Sequence, residues 1–265
     1  MVNDSGTVQL YYTEAGSGLP VVLLHGFPFD HSIWQAQQAA LSQSFRVIAP
    51  DLRGHGQSPL VEDEVYPMET LAGDVLALLD RLDIERAVWV GHSMGGYVTM
   101  AALRLAPERV QALGLVATHP HADSHEKRLQ RQESADSAAQ SGSTDTAHSM
   151  LAVLFASGVE GSSPLAQSVY DIMINTPGPT MAGAMRGMAQ RPDSLDVLRA
   201  ANLPTLVIAG AEDRVIEPAV VQNMAAQMPH ARLVTIEGAG HLPMLENPEA
   251  TTNALRDFLT TLSPR

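Results

Sequence analysis

The stretch Ala87-Val88-Trp89-Val90-Gly91-His92-Ser93-Met94-Gly95-Gly96-Tyr97 decides how the rest of this chain is read. Its first four residues form a short, continuous apolar run that ends in glycine. From Tyr97, residues 97–105 have the composition of a helix, which stops at Ala106-Pro107. Between the two lies the pattern G-x-S-x-G, with Ser93 at its centre. A strand that turns sharply into a helix holds Ser93 at a crowded bend, and glycines two residues to either side relieve the crowding because they lack a Cβ. The five-residue pattern alone is weak evidence, because on the order of 0.1 matches arise by chance in a chain of this size. Its position between a strand and a helix makes Ser93 a candidate nucleophile.

Working outward, the same grammar recurs. Val21-Val22-Leu23-Leu24 runs into His25-Gly26, Arg46-Val47-Ile48-Ala49 into Pro50-Asp51, and Thr205-Leu206-Val207-Ile208-Ala209 into Gly210. Residues 112–117 and Leu233-Val234-Thr235-Ile236 are further runs of this kind. Continuous rather than alternating apolarity predicts strands buried on both faces, as in a parallel sheet. Helical patterns lie between them: 68–82 carries Leu71, Val75, Leu78, Leu79 and Leu82 at spacings of three and four. Pro218 and Pro248 open two more, at the first turn where a missing N–H costs nothing. Strands alternating with helices predict an α/β chain with a mostly parallel, doubly wound sheet.

One stretch breaks the rhythm. Residues 119–192 contain no strand pattern, only helical pieces separated by Ser141-Gly142-Ser143, by 158–164 and by Pro177-Gly178-Pro179. Leu151, Val153, Leu154 and Phe155, then Val169, Ile172 and Met173, are apolar enough to pack. The expected organisation is therefore a core domain from 1–118 and 193–265, with a helical cap at 119–192 inserted over the sheet's carboxyl edge.

A serine hydroxyl needs a base to take its proton, and the base needs an orienting acid. His241, in Gly238-Ala239-Gly240-His241-Leu242-Pro243, follows the last strand-like run, on the edge where open α/β sheets place their chemistry. His92 flanks the serine, and His119, His121, His125 and His148 fall in the insertion, where they are expected to be solvated. Asp213 follows the run ending at Ala209 and is the candidate acid, with Glu212 and Asp123 as rivals. Asp51 also ends a strand, but Asp51-Leu52-Arg53-Gly54-His55-Gly56 reads as a turn with an Asp51–Arg53 tether. No metal site is expected: neither His25 with His31 nor His119, His121 and His125 has an accompanying carboxylate or zinc-like spacing.

Charge that develops on a substrate carbonyl oxygen needs preorganised N–H donors, each worth about 3–4 kcal/mol in the transition state. Met94 supplies one at a helix N-terminus, where the dipole also helps. The loop His25-Gly26-Phe27-Pro28 should supply the other. Pro28 has no N–H, which leaves Phe27.

These stretches together resemble the α/β-hydrolase superfamily over about 8–262. The resemblance rests on His25-Gly26-Phe27-Pro28, Asp51-Leu52-Arg53-Gly54-His55-Gly56-Gln57-Ser58, Gly91-His92-Ser93-Met94-Gly95-Gly96, Gly210-Ala211-Glu212-Asp213 and Gly238-Ala239-Gly240-His241. The chain looks most like small, capped bacterial esterases and their relatives, the enol-lactone hydrolases, cofactor-free haloperoxidases and carbon–carbon bond hydrolases. That likeness implies an α/β-hydrolase fold, a triad of Ser93, Asp213 and His241, an oxyanion hole at Phe27 and Met94, and no cofactor. Epoxide hydrolases and haloalkane dehalogenases share the fold but carry Asp where this chain has Ser93. The resemblance is loose over 119–192, so the substrate is the least determined part.

The expected activity is cleavage of carboxylic esters with short to medium acyl chains. Met181, Met185 and Met188, spaced four and three apart, share a helix face that can line a pliable acyl pocket or fill the core. An enol-lactone or carbon–carbon bond hydrolase on the same triad would want a cation for its anionic substrate, and Arg186 and Arg191 are candidates. A non-catalytic small-molecule receptor is the alternative from another class, although such proteins often lack a triad member. The net charge of −13 over 265 residues disfavours nucleic acid and anionic membranes as partners. No apolar run approaches the ~20 residues needed to span a bilayer. With no cysteine and no signal-peptide pattern in residues 1–6, the cytoplasm is the expected location.

Overall fold

The computed structural model describes residues 6–262. Residues 1–5, read above for a signal peptide, lie outside them. Seven strands form one sheet: β1 (Tyr12–Ala15), β2 (Pro20–Leu24), β3 (Arg46–Pro50), β4 (Ala87–His92), β5 (Val110–Val116), β6 (Thr205–Gly210) and β7 (Ala231–Ile236), in the order β1-β3-β2-β4-β5-β6-β7. All neighbours are parallel except β1, which pairs antiparallel with β3. The helices are α1 (Gln35–Leu41), α2 (Met68–Arg81), α3 (Met94–Leu105), α4 (His125–Ser141), α5 (Thr144–Leu154), α6 (Pro164–Asn175), α7 (Gly178–Gln190), α8 (Leu195–Ala200), α9 (Pro218–Ala226), α10 (Pro243–Glu246) and α11 (Pro248–Leu262).

The continuous apolarity of the strands has a direct cause. Successive side chains of a strand face opposite sides, and both sides of this sheet are covered. Val22, Leu24, Trp89 and Leu113 pack with Leu71, Val75 and Leu78 of α2, Val98 of α3 and Val221 of α9. Val21, Leu23, Val88 and Val90 pack on the other side with Leu41 of α1 and Leu255, Phe258 and Leu259 of α11. Each fully buried side chain of this size contributes about 1.5–3 kcal/mol. The edges are different. β7 was expected to be buried on both faces, but it is the outermost strand and leaves Leu233 exposed. β1 is the opposite edge.

Between β5 and β6 the chain makes the helical excursion α4–α7, without a strand. Its ends are joined, since the Ser194 N–H donates to the Pro120 carbonyl at 2.8 Å. It also meets loops that follow the carboxyl ends of strands: Thr176 Oγ1 donates to the Pro28 carbonyl at 2.8 Å, and Thr180 Oγ1 to the Gly54 carbonyl at 3.1 Å. No helix among the described residues is long and apolar enough to cross a membrane.

The Asp51–Arg53 tether does not form. Arg53 reaches α2, with two bonds to Asp74 at 2.8 and 2.9 Å, and makes a third to Asp63, in the segment ahead of that helix, at 2.9 Å. Asp51 instead accepts from the ring and the backbone N–H of His31, both at 2.7 Å, and from the Gln57 N–H at 2.8 Å. His31 therefore does have accompanying carboxylates, contrary to the reading of the sequence alone. Ligand-type atoms of Asp30, His31 and Asp51 lie within 4.8 Å of one another. Asp30 is engaged with the Ser32 N–H and hydroxyl, and His31 with Asp51.

Candidate active site

Ser93 sits between β4 and α3 with φ 50° and ψ −112°, a left-handed conformation that a residue with a side chain adopts only under strain. The flanking glycines make the bend sterically feasible. A Cβ on Gly91 would come within 2.3 Å of the Gly95 carbonyl oxygen, and one on Gly95 within 2.5 Å of the Leu24 carbonyl oxygen.

The strand ends bring three side chains together across the sheet. Asp213, after β6, accepts from Nδ1 of His241, after β7, at 2.8 Å. His241 Nε2 lies 3.0 Å from Ser93 Oγ. Asp213 and His241 are 4% and 2% exposed, so water competes little for this hydrogen-bonded line. The second oxygen of Asp213 accepts the Val215 and Ile216 N–H groups at 2.8 and 2.9 Å, which fixes the carboxylate plane. With the Nδ1 proton held by Asp213, Nε2 is left with the lone pair that faces the serine hydroxyl. Glu212 is turned away and binds the Ser157 N–H and hydroxyl. Asp123 lies between Arg131 at 2.6 Å and Arg191 at 2.9 Å.

His92 lies under His241, ring centroids 4.9 Å apart, and its Nε2 donates to the His241 carbonyl at 2.8 Å. Burial, with the neighbouring His241 second, holds His92 well below the ordinary imidazole range, so it stays neutral. Met94 opens α3, so its N–H has no partner one turn earlier in the helix. Neither that group nor the Phe27 N–H enters any hydrogen bond found among the described residues.

Beside Ser93 is a cavity of about 840 Å³, lined among others by Phe27, Tyr97, Met150, Met185, Met188 and Ile216. Two of the three methionines expected there are present. Met181 is not: it is fully buried and belongs to the core. Arg186 pairs with Asp136 at 2.7 Å and does not line the cavity. Arg191 is also set behind the wall, 5% exposed, paired with Asp123 and stacked 4.0 Å from the Tyr97 ring centroid. The cations that do line the cavity are Lys127 and Arg131 of α4. His119, expected in solvent, is only part-exposed and is bonded to the Tyr97 hydroxyl at 3.2 Å. Tyr97 was not anticipated as a site residue, although its position four after Ser93 in a helix puts it one turn from the serine.

The chain matches the family model for the alpha/beta hydrolase fold over residues 20–248. A thermophilic esterase from Thermogutta terrifontis superposes with a TM-score of 0.95 at 36% identity, covering 99% of this chain and 97% of the other. The enol-lactonase from Burkholderia xenovorans LB400 gives 0.87 at 31% identity, over 95% and 96%. The dihydrolipoyllysine-residue acetyltransferase component of the acetoin cleaving system of Pseudomonas putida is 32% identical over 97% of this chain and 68% of its own length.

Proposed function

We propose, from the premise that this chain belongs to the alpha/beta hydrolase fold family, that it is a serine carboxylesterase acting on short to medium acyl esters through an acyl-enzyme. The observation that carries the proposal is the line from Asp213 through His241 to Ser93, at 2.8 and 3.0 Å, opening on an 840 Å³ cavity.

In this reading Ser93 Oγ attacks the ester carbonyl while His241 Nε2 takes its proton. Asp213 stabilises the imidazolium and keeps its orientation. Negative charge on the carbonyl oxygen is met by the Phe27 and Met94 N–H groups, which need no rearrangement to receive it. The imidazolium then protonates the leaving alcohol. Water enters, neutral His241 activates it, and the acid leaves. The helices α4–α7 act as a cap, with Met185 and Met188 shaping the acyl pocket. The proposed partner is a small ester and the proposed location the cytoplasm, which suits a cysteine-free chain.

A second reading, hydrolysis of an anionic enol-lactone or a carbon–carbon bond on the same triad, draws on Lys127 and Arg131 at the cavity wall. Initial rates on short aryl esters, anionic lactones and dienoates separate the two. The esterase reading expects the aryl esters to be turned over at least tenfold faster. The reverse order, with stoichiometric fluorophosphonate labelling of Ser93, would keep the triad and replace the substrate.

A further inference from the structure

We propose that the Tyr97 hydroxyl donates a hydrogen bond to bound substrate and thereby selects esters whose acyl chain carries an acceptor oxygen. This rests on the Ser93 esterase reading and deepens it.

The His121 backbone N–H donates to His119 Nδ1 at 3.2 Å. A backbone N–H cannot accept, so Nδ1 carries a lone pair and a neutral His119 holds its proton on Nε2. Nε2 lies 3.2 Å from Tyr97 Oη, which makes the tyrosine oxygen the acceptor there. The hydrogen on Tyr97 Oη must then point elsewhere, and no other group among the described residues is bonded to it. Tyr97 and His119 both line the cavity that holds Ser93. Tyr97 is anchored close to the serine, since its N–H donates to the Ser93 carbonyl at 3.3 Å.

The surroundings keep this donor in place. Burial, with Arg191 second, lowers His119 to about 4, so the ring is neutral at pH 7 and the tautomer argument applies. Burial also raises the Tyr97 phenol above its ordinary value, which keeps its proton on. Arg191 packs its guanidinium on the ring face, and Asp123 holds Arg191. A hydrocarbon acyl chain leaves such a donor without an acceptor. A site with a fixed donor discriminates against a ligand lacking the matching acceptor.

The test uses matched p-nitrophenyl esters in which one methylene is replaced by oxygen: butyrate against methoxyacetate, and pentanoate against 3-methoxypropionate. Wild type, Tyr97→Phe and Ser93→Ala are compared. Tyr97→Phe keeps the ring and its packing on Arg191. It should lower kcat/KM for at least one oxygen-bearing ester about 5–10-fold more than for its hydrocarbon match, the size expected for one hydrogen bond. Intrinsic ester reactivity cancels in that ratio of ratios. An equal effect on both members of both pairs overturns the proposal while leaving the esterase reading intact. Absence of wild-type turnover, or turnover retained by Ser93→Ala, overturns the reading beneath it and this proposal together. Independently, nitrogen-15 spectra at pH 7 should show His119 protonated on Nε2 and bare on Nδ1. The opposite tautomer overturns the assignment.

Discussion

The backbone N–H of His241 donates to the carbonyl oxygen of Leu154, the last residue of α5, at 2.7 Å. The candidate base is thus bonded directly to the helical excursion α4–α7. Glu246 strengthens the junction. One oxygen accepts the Gly240 and Leu242 N–H groups at 2.9 and 3.1 Å, on either side of His241, and the other accepts the Ala156 N–H at 2.7 Å.

Glu246→Gln replaces one of the two acceptor oxygens by an NH2 group, which cannot accept an N–H. The His241 loop then loses part of its fixation, and small misplacements of a catalytic group are costly. The expected outcome is a roughly tenfold drop in kcat with little change in KM, while circular dichroism shows the fold retained. An unchanged kcat would show that the other bonds of the loop, His241 N–H to Leu154 and His92 Nε2 to the His241 carbonyl, hold it without Glu246.

Asp123 stands between two guanidiniums, and its partner Arg191 is buried. Removing one charge from such a group leaves an uncompensated buried cation, so Asp123→Asn should cost about 3–5 kcal/mol of stability in urea unfolding at neutral pH. Burial alone would raise the Asp123 carboxyl, but Arg191 and Arg131 outweigh it and hold it below its ordinary 3.8. A depressed carboxylate contributes fully above its unfolded value and loses its contribution as pH falls through the folded one. The deficit of Asp123→Asn should therefore be full above 3.8 and shrink in stronger acid. Adding Arg191→Met should recover part of it.

Met185 and Met181 separate pocket from core. Met185→Ala should move the acyl-chain optimum up by roughly one or two methylenes, because it enlarges the cavity beside Ser93. Met181→Ala should leave the optimum in place and cost about 2–5 kcal/mol of stability. The same shift in both variants would mean that the stripe acts as one wall.

His31 and Asp51 titrate in opposite senses. The bond to Asp51 raises His31 above its ordinary 6.5, and that contribution is present below 6.5 and lost as pH rises through the folded value. Burial pushes Asp51 up, but His31 and the backbone N–H groups hold it below 3.8, and its contribution is lost as pH falls through the lowered value. His31→Asn should therefore destabilise most between 3.8 and 6.5, by about 1–2 kcal/mol. Thermal melts across this range should show the gap to wild type narrowing towards alkaline pH.

The parallel strands and their helices were legible because both faces of the sheet are covered, which writes continuous apolar runs into β2, β4 and β6. β1 was missed for the converse reason: it is a half-exposed antiparallel edge. α1 hides because six of its seven residues are glutamine or alanine and its buried Gln37 looks like a surface residue. At the site, Ser93, Asp213 and His241 each follow a strand, and local pattern reveals that. The partner of Arg53 lies 21 residues away on α2, and no local pattern encodes such a pairing. Helical spacing put three methionines on one stripe but could not say that Met181 would turn into the core. Tyr97 and His119 came together only through the fold.

The most direct test of the central claim is turnover of p-nitrophenyl butyrate by wild type and by Ser93→Ala at equal concentration. The geometry of Asp213, His241 and Ser93 predicts measurable wild-type turnover, with kcat reduced at least about 10³-fold in the variant. A variant that retains wild-type turnover would remove Ser93 as the nucleophile, and with it the acyl-enzyme.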